Sequence, residues 1–140
     1  MKALIRDRYG QADVLEVREV ERPAPKEGQV LVRVHAASIN DWDWGMLQGP
    51  TSPLSRGAPR VRILGSDIAG RVAAVGSGVR RFQPGDEVYG DLSRFGLGGW
   101  GGFAEYVCAR EGALARKPAT SLVILLSIVC HSARWVRLNR

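Results

Sequence analysis

Through residue 118 the chain alternates apolar and polar positions in short runs, and turn-forming residues separate the runs. In QVLVRVHAA, Val30, Val32, Val34 and Ala36 share one face of an extended strand, while Arg33 and His35 take the other. That is the pattern of a half-buried antiparallel strand. Runs of similar character predict strands at about residues 2 to 6, 14 to 20, 29 to 37, 68 to 76, 86 to 91 and 103 to 109. Long helical periodicity is absent there, and DWDWGML, after Asn40, is the one short helical stretch. RPAPKEG (22 to 28), QGPTSPLSRGAP (48 to 59), GSG (76 to 78) and QPGD (83 to 86) provide the connections. In QPGD, Pro84 is preset for the second position of a type II turn and Gly85 is free to take positive φ at the third. The fold class expected is mainly β, a small barrel or sandwich.

Composition narrows this picture. The chain has 140 residues, enough for one domain with a proper core and too few for two of ordinary size. The N-terminal MKALIRDRYG is charged and lacks the apolar region of a secretory signal, and LVILLSIVC (122 to 130) is too short to span a bilayer. A cytoplasmic protein with no membrane partner is therefore expected. The net charge of +6 is unevenly placed: residues 1 to 109 carry 14 Lys and Arg against 13 Asp and Glu, residues 110 to 140 carry 6 against 1. A nearly neutral body argues against a nucleic-acid partner, which needs clustered cations interleaved with aromatics. Cys108 and Cys130 are too few for a disulfide framework or a Cys-rich zinc site, and Cys108 reads as a small apolar strand residue.

Gly96, Gly98 and Gly101 satisfy G-x-G-x-x-G, the spacing of a dinucleotide-binding turn. Such a turn works by leading into a helix whose N-terminus meets the pyrophosphate, with an acid about 20 residues on. Here FAEYVCA follows, which alternates like a strand, and Ser121 stands where the acid would be. A glycine-rich loop entering a strand fits better.

Taken in order, VLVRVHAASINDWDW (30 to 44), ILGSDIAGRVAAVGSGVRRFQPGDEVYG (63 to 90) and GGFAEYV (101 to 107) resemble the N-terminal domain of medium-chain dehydrogenases/reductases, in particular the zinc-free quinone oxidoreductase branch. The resemblance covers about residues 1 to 120. It implies a GroES-like, partly open barrel with short helices (residues 1 to 118), and a Rossmann domain for NADPH that is lacking here. The implied activity is NAD(P)H-dependent hydride transfer to a small-molecule quinone or α,β-unsaturated carbonyl. Zinc-dependent relatives have a cysteine where Asn40 stands and Gly-His-Glu where Gly65, Ser66 and Asp67 stand. An amide and a hydroxyl are poor zinc ligands, so no zinc is expected.

By the same resemblance Asn40 sits at the mouth of the active site as the candidate catalytic donor, Trp42 and Trp44 are candidate substrate-binding residues, and Asp43 orients its neighbours. Asn40 is equally placed to cap the helix, and both tryptophans to serve as packing residues. His35 is expected to face solvent beside Arg33. Ser66 has no histidine nearby in sequence and lacks the surrounding glycines of a nucleophile elbow, so a hydrolase has little support.

After ARKPA the sequence departs from this family, and residues 119 to 140 read as an atypical tail of truncated or frame-shifted origin. Its apolar block is expected to patch an exposed edge or to promote self-association. The enzyme reading then requires the missing domain, for which a separate cofactor-domain chain is one source. The alternative readings are a non-catalytic GroES-like binding or assembly module and a non-functional fragment.

Overall fold

The computed structural model describes residues 1 to 49, 59, 62 to 93 and 101 to 118, together with the backbone of 134 to 136. Strand β1 (Lys2–Ile5) leads through a 3-10 turn at Ala12–Val14 to β2 (Glu16–Glu19). The long strand β3 (Gln29–Ile39) runs directly into helix α1 (Asp41–Gln48). Then follow β4 (Asp67–Val75), β5 (Glu87–Asp91), β6 (Tyr106–Arg110), a 3-10 turn at Glu111–Ala113, β7 (Leu114–Arg116) and β8 (Arg134–Val136).

β1 and β2 form a two-stranded antiparallel sheet. The other six strands form one antiparallel sheet in the order β6-β3-β4-β5-β7, with β8 also on β3. β3 is its trunk. β4 pairs along one edge from Val30 to Ala37, and the other edge takes β6 at Gln29–Arg33 and β8 at Ala37–Ile39. β6 and β7 end the hydrogen-bonded path without pairing to each other, so among the described residues the sheet stays open instead of closing into a barrel. Bridges from Ala3 to Ala104 and from Ile5 to Ile63 tie the small sheet to it.

All six strands expected from the alternation are present, with boundaries shifted by up to three residues. β7 and β8 were not expected. β7 has only three residues, too few for alternation to register. The core gathers Val30, Val32, Ile68, Val72, Val88, Val107 and Leu114 with Phe82 and Phe103. Arg33 and His35 face out as expected, but alternation fails after His35. The pairing with β4 skips that residue, a bulge, and Ala36, Ala37 and Ser38 are then buried in succession at 3%, 0% and 0% exposure. The turn at Gln83 to Asp86 forms as its chemistry requires, with Gly85 at φ 96° and the Asp86 N–H donating to the Gln83 carbonyl.

Most of the QGPTSPLSRGAP connection, Gly96 and Gly98, and the tail apart from β8 lie outside the described residues. Gly101 leads toward β6, a strand, and not into a helix. Cys108 is half-buried, and burial pushes its thiol pKa up, which keeps it protonated and unreactive. Where the tail is described, it lies as β8 along the edge of β3, beside the residues that lead into α1.

Candidate functional site

The site begins where β3 turns into α1. Asn40 is the N-cap residue, in extended conformation, and Asp43 lies three residues on. One Asp43 oxygen accepts the Asn40 backbone N–H at 2.8 Å, the carboxylate half of a capping box. The other accepts the Gly65 N–H at 3.0 Å, from the loop before β4. A single buried carboxylate thus joins the start of the helix to the 64–66 loop. Gly65 extends the tie, because its carbonyl accepts the N–H groups of Gly101 (3.2 Å) and Gly102 (2.9 Å). Its φ of 89° and the Phe103 ring packed against it leave no room for a β-carbon.

On this frame a buried polar cluster assembles. The Asn40 amide Nδ2 donates to Asp67 Oδ2 at 2.9 Å and, more weakly, to Ser66 Oγ at 3.5 Å. Ser38 Oγ donates to the same Asp67 oxygen at 3.1 Å. The Trp42 indole Nε1 donates to Ser66 Oγ at 3.0 Å, while 42% of Trp42 stays exposed. Among the described residues no buried side-chain nitrogen or oxygen is left without a partner.

Burial raises both carboxyl groups. Asp43 is pushed up to about 6, chiefly by desolvation, with hydrogen bonds from the Asn40 and Gly65 backbones opposing and the charge of Asp67 adding to it. Asp67 is also raised by desolvation, opposed by the Asn40 and Ser38 hydrogen bonds and reinforced by Asp91.

The fold therefore brings Asn40, Ser66, Asp67 and Trp42 together from segments more than 20 residues apart. Trp44 is separate: two residues along a helix is about 200° round its axis, and Trp44 is 46% exposed. His35 lies on the outer face of β3, away from the cluster. Sequence patterning missed Ser38, which only the bulge turns inward. It also missed Arg6, which is 1% exposed and secures the far end of α1 by donating to the Met46 carbonyl, while Gly10 N–H donates to the Leu47 carbonyl. Nothing in LIRDRYG marks Arg6 as different from Arg8.

Among the described residues no three His, Cys, Asp or Glu side chains gather closely enough to hold a metal ion. The set at the zinc-ligand positions is an amide, a hydroxyl and one carboxylate, already engaged with one another, and does not fit zinc. Nor does the helix N-terminus among the described residues suit a dinucleotide pyrophosphate. The one α-helix among them has its N-terminus occupied by the Asp43 carboxylate, with Asp41 adding negative charge.

An open antiparallel sheet with a polar cluster where the trunk strand meets a short helix defines a GroES-like domain of the medium-chain dehydrogenase/reductase class. The alcohol dehydrogenase GroES-like domain matches residues 26–119, and the chain belongs to that family. A chloroplastic quinone oxidoreductase of Triphysaria versicolor is 38% identical over 120 residues, which is 84% of this chain and 35% of that protein. An NADPH-dependent alkenal/one oxidoreductase of Arabidopsis thaliana, also chloroplastic, is 40% identical over 122 residues, 84% of this chain and 31% of that protein. The quinone oxidoreductase structure from Coxiella burnetii superposes with a TM-score of 0.75 at 27% identity, covering 91% of this chain and 40% of that one. The chain thus spans about a third of the length of these curated relatives.

Proposed function

We propose that this chain forms the acceptor side of a nicotinamide-dependent reductase for quinones or α,β-unsaturated carbonyls. The observation that carries the reading is the cluster itself: Asn40 and Trp42, two hydrogen-bond donors, converge on the buried Ser66 and Asp67 beside the half-exposed Trp42 ring. NADPH, when bound, would supply the hydride. Electron-poor acceptors take hydride without a Lewis acid when donors meet the oxygen on which charge develops.

Asn40 suits that role because its two amide hydrogens are held unequally. Asp67 fixes one at 2.9 Å, whereas the 3.5 Å contact to Ser66 is weak enough to be exchanged for a ligand oxygen. The half-exposed Trp42 ring offers a flat wall for a planar acceptor, and Trp44 would act as a second wall only for an acceptor that reaches round the helix. The donor set supports zinc independence, and the printed name of the Arabidopsis relative supports NADPH as the reductant. A cytoplasmic location is part of this proposal, although the two curated relatives above carry chloroplastic names. No helix among the described residues is long and apolar enough to cross a membrane.

Titrating the full chain with a soluble quinone while following tryptophan fluorescence tests this reading. Saturable quenching is expected, weakened several-fold in Trp42→Phe and Asn40→Ala. Quenching that rises linearly with quinone, or that both substitutions leave unchanged, would refute it.

A further inference from the structure

The outer face of the large sheet carries an arrangement that the reductase reading does not use. Arg33 on β3 lies directly opposite Arg71 on β4 and, on its other side, directly opposite Tyr106 on β6. Arg71 in turn lies opposite Glu87 on β5. Residues directly opposite one another share a face, so these four form one row across four strands, about 15 Å long at the usual strand spacing. The Arg22 guanidinium stacks on the Tyr106 ring, 3.9 Å from its centroid, and extends the row.

The charges in the row do not balance. Glu87 serves both Arg71, at 3.4 Å, and Lys117, at 3.2 Å. Among the described residues no carboxylate lies within ion-pair distance of Arg33. Like charges directly opposite on paired strands repel, so the unliganded protein is destabilised by this pair. The bulge at His35 places an imidazole in the same field, and its pKa is lowered by burial first and then by Arg33 and Arg71, with Glu87 opposing.

We propose that Arg33 and Arg71 form a binding site for a small phosphate-type oxyanion, with Arg22 as a flanking cation. Two guanidinium forks on adjacent strands present four N–H donors, two per fork; a tetrahedral oxyanion can meet each with a separate oxygen, whereas a carboxylate would have to share its two. Glu87 interrupts the cations between Arg71 and Lys117, which suits a single anion at the arginine pair better than a polyanion or an acidic peptide. The site lies on the opposite face of β3 from the valine core and does not depend on the reductase reading.

The test uses the full chain, titrated with inorganic phosphate at constant ionic strength held by chloride, with the arginine Nε–Hε resonances followed by NMR. Saturable shifts are expected at Arg33 and Arg71. Arg33→Gln and Arg71→Gln should each weaken binding at least about tenfold, while Arg18→Gln, on the small sheet, should leave it unchanged. Backbone amide spectra report that the variants stay folded. Melting adds a reversal that a purely structural arginine would not produce: Arg33→Gln should melt above the parent protein in chloride and below it in saturating phosphate. Shifts that do not saturate, or that Arg33→Gln leaves intact, would overturn the proposal. So would saturation by an oligonucleotide or an acidic peptide where phosphate gives none.

Discussion

Two polar regions share strand β3 and are built on opposite terms. At its C-terminal end Ser38 and Asn40 are buried, and their side chains hydrogen-bond to Asp67. On its outer face Arg33 stands in water opposite a second arginine. Burial makes the first arrangement compulsory, because an orphaned donor or acceptor in the interior costs about 1–3 kcal/mol. Exposure makes the second tolerable, because water and salt screen like charges to a few tenths of a kcal/mol. The inner cluster should therefore yield little to substitution without loss of stability, and the outer row should yield freely.

The sharpest break in that comparison is expected at Gly65, the hinge of the inner cluster. Gly65→Ala adds a β-carbon at positive φ against the Phe103 ring, and urea unfolding should show a loss of about 3 kcal/mol or more. No outer-face substitution should approach this.

Second comes pH. Asp43 is raised to about 6 in the folded protein, above its unfolded value of 3.8, so the folded state takes up this proton first. Its contribution to stability is full below pH 3.8 and is lost as the pH rises through 6, a span of about 2–3 kcal/mol. The difference in unfolding free energy between the parent protein and Asp43→Asn, measured from pH 4 to pH 7, should shrink by that amount as pH rises. A difference that is flat with pH would show that the carboxyl is better solvated than its burial implies.

Trp42→Phe keeps an aromatic ring but removes the indole donor to Ser66, and should cost about 1 kcal/mol in urea unfolding. Arg33→Gln is the smallest effect and has the opposite sign. In low salt it should stabilise by a few tenths of a kcal/mol, and the gain should vanish in molar salt as screening removes the repulsion.

The comparison also explains what was legible before folding. Strand β3 was readable because alternation of valines with Arg33 and His35 reports directly on a sheet with one wet face. The helix after Asn40 was readable from its cap. The bulge was not, since it depends on how many residues β4 places opposite β3, and it is the bulge that buries Ser38. For Trp42 and Trp44 the residue types were visible, but only the helical geometry sends one to Ser66 and the other away from it. The neutral body charge was readable from 14 cations and 13 anions, but such a tally does not say where on the fold the cations stand. Arg22, Arg33 and Arg71 are far apart in sequence and become neighbours only through strand pairing and the stacking of Arg22 on Tyr106.

By itself the sequence determined the strand-rich class, the turn at Gly85, the cap at Asn40 and the family motifs, because each depends on the conformational preferences of residues close together in the chain. The tertiary structure decided the register that buries Ser38, the joining of Asn40 to Ser66 and Asp67, the raised carboxyl groups and the arginine row. Those properties belong to pairs of distant residues, and only packing fixes which pairs meet and how much water is left between them.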